Sequence, residues 1–199
     1  MLTFKSRGIV NRISRWYIRR RISRFQEIPT HVTEEEKIQL YRLVRQVRGN
    51  VYVEIGSYLG ASACCLAQAI RDSRLPARLF CVDTWQNEGM TEGARDTYAD
   101  FRANTGRFGS IIVPCMGYSS DTAGTFDLEV DFAFFDGDHS LAGVSQDWEL
   151  WSRKMKAGTV VAFHDYEWAE GVRKVVDISV APRTRDRGRL PNLWWGELS

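Results

Sequence analysis

No apolar run in this sequence approaches the ~18–20 residues that a membrane-spanning helix needs. Nor is there the apolar core of a secretory signal, since charged residues interrupt the N-terminus every few positions. No apolar segment follows the triplet Arg19-Arg20-Arg21, which removes the twin-arginine export reading. Cysteine is scarce. Cys64, Cys65, Cys81 and Cys115 form no C-x-x-C pair, and all fall in an expected helix or in expected buried strands. They read as reduced core thiols of a cytosolic protein, not as a disulfide framework or a metal centre. Internal repeats and low-complexity segments are lacking, and nothing marks a specific nucleic-acid motif. Acids are absent before Glu27, where eight basic residues stand; the other 19 cations and all 25 acids follow. A basic arm, residues 1–28, therefore precedes an acidic domain, residues 29–199.

What is present suits one globular domain: 44% of the 199 residues are hydrophobic and 26% are charged. In the arm, Ile9, Ile13, Trp16, Ile18, Ile22 and Phe25 recur at helical spacing among the arginines. One reading is peripheral contact of residues 1–26 with an anionic membrane or another polyanion. The other is a terminal helix packed on the domain or on a second copy in a homo-oligomer. An arginine-rich, acid-poor N-terminus also resembles an organelle transit peptide. Thr33 and Glu36 form a capping box, and Ile38, Tyr41, Val44 and Val47 share one face of the helix that follows, which ends at Gly49.

Strands and helices then alternate. Strands are expected at Val51–Ile55, Arg78–Asp83, Ile111–Cys115, Asp131–Phe135 and Thr159–Phe163. Helices are expected at Gly60–Arg71, Ala94–Asn104, Leu141–Met155 and Trp168–Ile178, with a turn or short helix after Ser120. Phe132-Ala133-Phe134-Phe135 and Val160-Val161-Ala162-Phe163 are apolar without alternation, the mark of strands buried on both faces. The fold class is α/β with a doubly wound, mostly parallel sheet. In the tail, Val180-Ala181 and Leu193-Trp194-Trp195 flank a polar turn and read as a hairpin-like antiparallel edge. Trp85 to Gly93 is the longest irregular insertion.

In such a sheet the strand ends share one edge, where ligands bind. Four acid-bearing turns fall there: Glu54 with Gly56, Asp83, Asp136, and His164-Asp165. Asp83 is placed either for ribose hydroxyls or as a turn cap. The turn Glu54-Ile55-Gly56-Ser57-Tyr58-Leu59-Gly60 has Tyr58 where a dinucleotide fingerprint wants its central glycine.

With Glu54 before it and Asp83 after it, this turn resembles the first motif, E/D-x-G-x-x-x-G, of the class I S-adenosylmethionine-dependent methyltransferases. The segments Val82-Asp83-Thr84-Trp85, Phe101-Arg102-Ala103-Asn104, Asp136-Gly137-Asp138-His139-Ser140 with Gly143, Val144 and Asp147, and His164-Asp165-Tyr166 resemble one branch of that superfamily. The branch contains small sugar and antibiotic O-methyltransferases and relatives of cephalosporin hydroxylase. The likeness runs from about Val51 to Val176. It implies a Rossmann-like sheet of seven strands, the last antiparallel, and a donor site for S-adenosylmethionine. Glu54, Gly56 and Gly60 match the cofactor loop, with Ser57 and Tyr58 near the methionine moiety. Asp83 matches the ribose-binding acid, Trp85 the adenine cover, and Ser119 or Ser120 the adenine edge. Asp136 matches the residue beside the reacting methyl group.

Metal-dependent relatives hold a divalent cation such as Mg²⁺ between an acid after strand four and an acid pair after strand five. The matching positions here are Asp136, His164 and Asp165, and the histidine departs from that pattern. Leu141-Ala142 stands where the family commonly has tyrosine and glutamate. His139 and His164 are candidate bases, a structural hydrogen bond or cap being the alternative for each. His31, before the helix cap, reads as structural. The expected activity is O-methylation of a hydroxyl on a sugar or small natural product, a glycan acceptor included. The rivals are a nicotinamide-dependent oxidoreductase on a similar sheet and a non-catalytic scaffold that uses the arm to hold membrane or polyanion.

Overall fold

The computed structural model describes residues 15–87 and 93–199; Ile9 and Ile13 of the arm lie outside them. A helix α1 (15–22) and a 3₁₀ turn, Ser23–Phe25, lead to α2 (Glu34–Gln46). The capping box forms as the sequence requires. The Glu36 amide donates to Thr33 Oγ1 at 3.4 Å, and the Thr33 amide donates to Glu36 Oε2 at 2.7 Å. There follow β1 (Val51–Ile55), α3 (Ala61–Ser73), β2 (Arg78–Asp83), α4 (Tyr98–Thr105), β3 (Ile112–Met116) and α5 (Ser119–Thr125). The second half runs β4 (Val130–Phe135), α6 (Leu141–Ser152), β5 (Met155–His164), α7 (Glu170–Val175), β6 (Thr184–Arg189) and β7 (Leu193–Leu198).

The seven strands lie in the order β3-β2-β1-β4-β5-β7-β6, the first five parallel and the last two antiparallel. Pairing of Ile55 with Val82 and Phe135, and of Phe135 with Phe163, brings the C-terminal ends of four strands to one level. Side chains alternate between two buried faces. Tyr52, Phe132 and Phe134 meet α1, α2 and α3 on one side, where Ile18, Ile22, Ile38, Leu40 and Leu66 pack. Val53, Ile55, Ala133, Phe135 and Phe163 meet Trp148, Trp151, Val172 and Val176 on the other. Burial on both faces explains the unbroken apolar runs. All four cysteines are free thiols.

Some boundaries differ from the expectation. The α4 helix begins at Tyr98 because the amides of Arg95 and Thr97 donate to the Gln86 and Trp85 carbonyls, closing the preceding loop on itself. The hairpin exists, but Val180-Ala181 is helical and the outer strand is Thr184–Arg189, inside the presumed turn. That strand is polar because it forms the open edge of the sheet, where charged side chains keep a strand soluble. Ile18, Ile22 and Phe25 are buried in the same core as α2 and α3, so the described part of the arm is one packed body with the domain. No helix among the described residues is long and apolar enough to cross a membrane.

Candidate active site

A cleft of ≈ 890 Å³ opens along the C-terminal ends of β1, β2, β4 and β5. The glycine turn forms one wall. Gly56 has φ +82°, and a Cβ there would come within 2.1 Å of the Asp136 carbonyl oxygen. The residue is glycine because the β1 turn crosses the β4 turn with no room for a side chain. Gly60, at φ +87°, starts α3. The amides of Ser57 and Tyr58 both donate to Asp83 Oδ2 at 2.8 Å, and the Trp85 amide donates to Oδ1 at 2.7 Å. The Gly56 and Gly60 amides donate to the Val82 and Ser57 carbonyls. These amides are thus satisfied within the protein and are not offered to a phosphate.

Two residues brace this turn from behind. Trp85, 1% exposed, packs on Tyr98 and Phe101 and donates from Nε1 to the Tyr58 carbonyl at 3.1 Å. It belongs to the core under the turn and not to the cleft surface, because its ring is enclosed by α4. Asn104 donates to the Leu59 carbonyl at 2.9 Å. Glu54 is fully buried behind the turn. Its Oε2 accepts from the Ser57 hydroxyl at 2.6 Å, and burial pushes its carboxyl up to about 7 against the bonds from Ser57, Ser62 and Cys81.

Across the cleft, β4 and β5 deliver Asp136, His139, His164 and Asp165. His164 is 2% exposed. Its Nδ1 lies 2.9 Å from Asp136 Oδ1 and 3.1 Å from Asp165 Oδ1, and its Nε2 lies 3.4 Å from Glu36 Oε2. Burial opposes a charge on this ring. The field of Asp136 and the bonds to Asp136, Asp165 and Glu36 outweigh it and raise the pKa to about 12. Burial likewise opposes ionisation of Asp165, but bonds from His139 and His164 hold its carboxyl well below the usual range. Both ring nitrogens of His164 are thus engaged by carboxylates of the protein, which matches the structural hydrogen-bonding alternative for this residue and disfavours a role as base or metal ligand.

His139 stands beside this cluster at the cleft wall. Its ring stands edge-on to Trp168 at 5.1 Å, and Nε2 lies 2.7 Å from Asp165 Oδ2. This bond to Asp165 is the main cause of a His139 pKa raised above its ordinary value, with burial opposing it. Asp165, at φ +60°, also accepts from Trp168 Nε1 at 2.7 Å and Asn192 Nδ2 at 2.8 Å. One donor atom each from Asp136, His139 and Asp165 falls within 4.8 Å of the others, which is metal-ligand spacing. The expected set of Asp136, His164 and Asp165 is thus assembled with the other histidine.

The remaining wall comes from α5 and α6. The Ser119 hydroxyl accepts from Trp151 Nε1 at 2.8 Å and bonds Asp147, whose carboxyl burial raises to about 6. His31, expected to be structural, lines the cleft rim with Pro29 and Thr30. Glu36, Asp147, Trp168 and Asn192 were not expected in any site role. Glu36 was already explained as a cap, and Asn192 sits in a hairpin turn whose fold partner is far away in sequence.

A family model described as a methyltransferase domain matches residues 53–166, more than half of the chain. The chain belongs to that family. The match begins within β1 and ends just past Asp165, so the methyltransferase domain includes both walls of the cleft. Solved O-methyltransferases share its fold. NovP superposes with a TM-score of 0.72 at 15% identity, covering 94% of this chain and 99% of its own. An O-methyltransferase from Bacillus cereus, solved in complex with SAH, gives 0.67 at 15% identity, covering 94% and 90%. TomG from Streptomyces achromogenes, solved in complex with SAM, gives 0.65 at 16%, covering 93% and 88%. In sequence, an uncharacterised protein of Sinorhizobium fredii is 32% identical over 64% of this chain and 14% of its own length. One of Acanthamoeba polyphaga mimivirus is 28% identical over 65% and 59%. The matched segment thus spans less than two thirds of each of these relatives, and a small fraction of the first.

Proposed function

We propose that this chain is an S-adenosylmethionine-dependent O-methyltransferase acting on a hydroxyl of a sugar or small natural product. The observation that carries the reading is the convergence of Asp136, His139 and Asp165 on the cleft wall facing the Gly56–Gly60 turn. The turn suits the donor. The Ser57 and Tyr58 amides are spent on Asp83, which disfavours a pyrophosphate and hence the nicotinamide reading, while one lone pair, on Oδ1, stays available to a ribose hydroxyl. Gly56 lets the β1 turn pass directly against the β4 turn, which brings the two sides of the cleft together.

S-adenosylmethionine supplies a methyl group on a sulfonium, which is already a good leaving group. The acceptor oxygen gains the carbon, sulfur keeps the bonding pair, and the hydroxyl proton must leave. The protein aligns the acceptor and manages that proton. Trp168, 63% exposed beside His139, offers a face on which a sugar ring or a flat acceptor can rest. Asp136, His139 and Asp165 fit a divalent cation with borderline preferences better than Mg²⁺, which favours oxygen ligands alone. The excess of carboxylates over the single imidazolium His164 also draws a cation there. Such an ion would lower the hydroxyl pKa. The close approach of Asp165 to His139 favours a second route, in which His139 takes the proton itself.

Calorimetry with S-adenosylmethionine tests the donor assignment. Binding by the intact protein and its loss in Asp83→Ala are expected; no binding, or unchanged binding in the variant, would refute it. Turnover stopped by a chelator and restored by Mn²⁺ is expected for the cation route. Chelator-insensitive turnover that also survives Asp136→Asn would leave His139 as the base.

A further inference from the structure

A second concave face lies near the far end of α3, roughly 15 Å along the helix from the glycine turn at 1.5 Å per residue. It is a groove of ≈ 480 Å³ between α1, the last turns of α3 and the 3₁₀ turn Gly106–Phe108. Arg20, Arg21, Arg24, Arg71 and Arg107 line it, with Trp16 at its edge. Asp72 neutralises Arg21, whose Nε donates to it at 2.8 Å. Among the described residues, Arg20, Arg24, Arg71 and Arg107 form no ion pair. Three of them are held in place. Arg71 bonds Gln68 and lies over Phe108 at 4.7 Å; Arg107 lies over Phe25 and Phe108 at 5.8 and 5.6 Å; Arg20 lies over Trp16 at 5.8 Å. Stacking on aromatic faces fixes guanidinium groups while leaving their N–H edges available.

The helix α1 is two-sided in charge. Arg15 and Arg19 are paired with Glu34 and Glu35 of α2, while Arg20 and Arg24 are bare. Ile18, Ile22 and Phe25 anchor the helix in the core, which holds the bare side outward. Like charges crowd there, and Arg107 and Arg21 add to the effect of burial in lowering the Arg71 pKa. Unneutralised, preset arginines call for an anion with several phosphate oxygens. Trp16 and Tyr17, 63% and 47% exposed, stand beside them. Exposed tryptophan and tyrosine next to arginines suit the water–lipid boundary, where rings sit at headgroup level. The sequence upstream adds Lys5, Arg7 and Arg12 with no acid. This charge pattern matches an extended anionic surface better than one small ion.

We propose that this face docks on an anionic phospholipid bilayer, its arginines taking headgroup phosphates and Trp16 entering the interface. Co-sedimentation of the full chain with vesicles of phosphatidylcholine, alone or mixed with phosphatidylglycerol, tests it. Pelleting is expected only with phosphatidylglycerol and should weaken as salt shortens the screening length. Each neutralised arginine should lower the partition roughly fivefold, so Arg71→Gln with Arg107→Gln should lower it about twenty-five-fold. Trp16→Ser should lower it further. Both arginines are exposed, and S-adenosylmethionine binding by the double variant checks that its fold is kept. Equal pelleting with both vesicle types, or no change in the double variant, would overturn the proposal. So would binding to a single-stranded RNA oligonucleotide with no binding to anionic vesicles.

Discussion

Glu36 Oε2 lies 3.4 Å from His164 Nε2, joining residues 128 positions apart. One carboxylate therefore caps α2 through Thr33 and also neutralises a buried imidazolium at the end of β5. The helix that covers the sheet is tied to the floor of the cleft by a single side chain.

The two roles of Glu36 separate by substitution. Glu36→Gln keeps an oxygen for the cap but removes the charge facing His164, whereas Glu36→Ala removes both. The alanine variant should lose about 1 kcal/mol from the cap and about 3 kcal/mol from the buried pair. Urea unfolding should therefore rank the proteins wild type, glutamine, alanine.

The two histidines should respond in opposite ways. His139→Gln removes a partly exposed ring at the cleft wall and should leave the unfolding midpoint almost unchanged. Turnover should fall roughly a hundred- to ten-thousandfold. His164→Gln leaves Asp136, Asp165 and Glu36 facing one another and should cost about 3 kcal/mol or more. Paired measurements of melting temperature and rate distinguish the two.

Gly56→Ala should be severe. An alanine at φ +82° is strained, and its Cβ would meet the Asp136 carbonyl oxygen at 2.1 Å. The turn must open, at a cost above about 2 kcal/mol, and S-adenosylmethionine affinity should be lost in calorimetry even where the variant still folds.

Asp83→Asn should loosen the same turn more gently. The Ser57 and Tyr58 amides lose a charged acceptor, a bond class worth about 1.5–3 kcal/mol each at most. Donor affinity should fall about ten- to hundredfold, with NADH fluorescence showing no binding by either protein.

Glu54 carries a pH signature. Its folded pKa, pushed up to about 7 by burial, lies above the unfolded value near 4.3. Its contribution to stability is therefore complete below about pH 4.3 and is lost as pH rises towards and through 7, by about 3 kcal/mol in all. Glu54→Gln stays neutral and can still accept from Ser57. Its urea midpoint should fall less steeply than that of the wild type over this range and exceed it at pH 8.

The glycine turn and the strands around it were legible because their causes are local. Unbroken apolar runs mark doubly buried strands, Gly56 and Gly60 mark positive φ, and Thr33 with Glu36 marks a cap, all within a few residues. The strand ends then placed Asp83, Asp136 and Asp165 on one edge by topology alone. Which histidine serves the cleft was not legible. His139 and His164 each stand next to an acid in the sequence, and only the fold shows that Glu36, from another helix, closes the last face of His164 and fixes it as a cation. Trp85 reads as an adenine cover until α4 is seen enclosing it. The polar segment Thr184–Arg189 reads as a turn until the sheet gives it an edge to occupy.

The sequence by itself determined the order of strands and helices, the glycine turn and the acids at the strand ends, since backbone sterics and hydrophobic periodicity act over short range. Tertiary structure alone decided which groups are charged, paired or exposed. Burial and the field of a distant carboxylate set the state of His164, and the packing of α1 against α3 gathers arginines far apart in the chain into one groove.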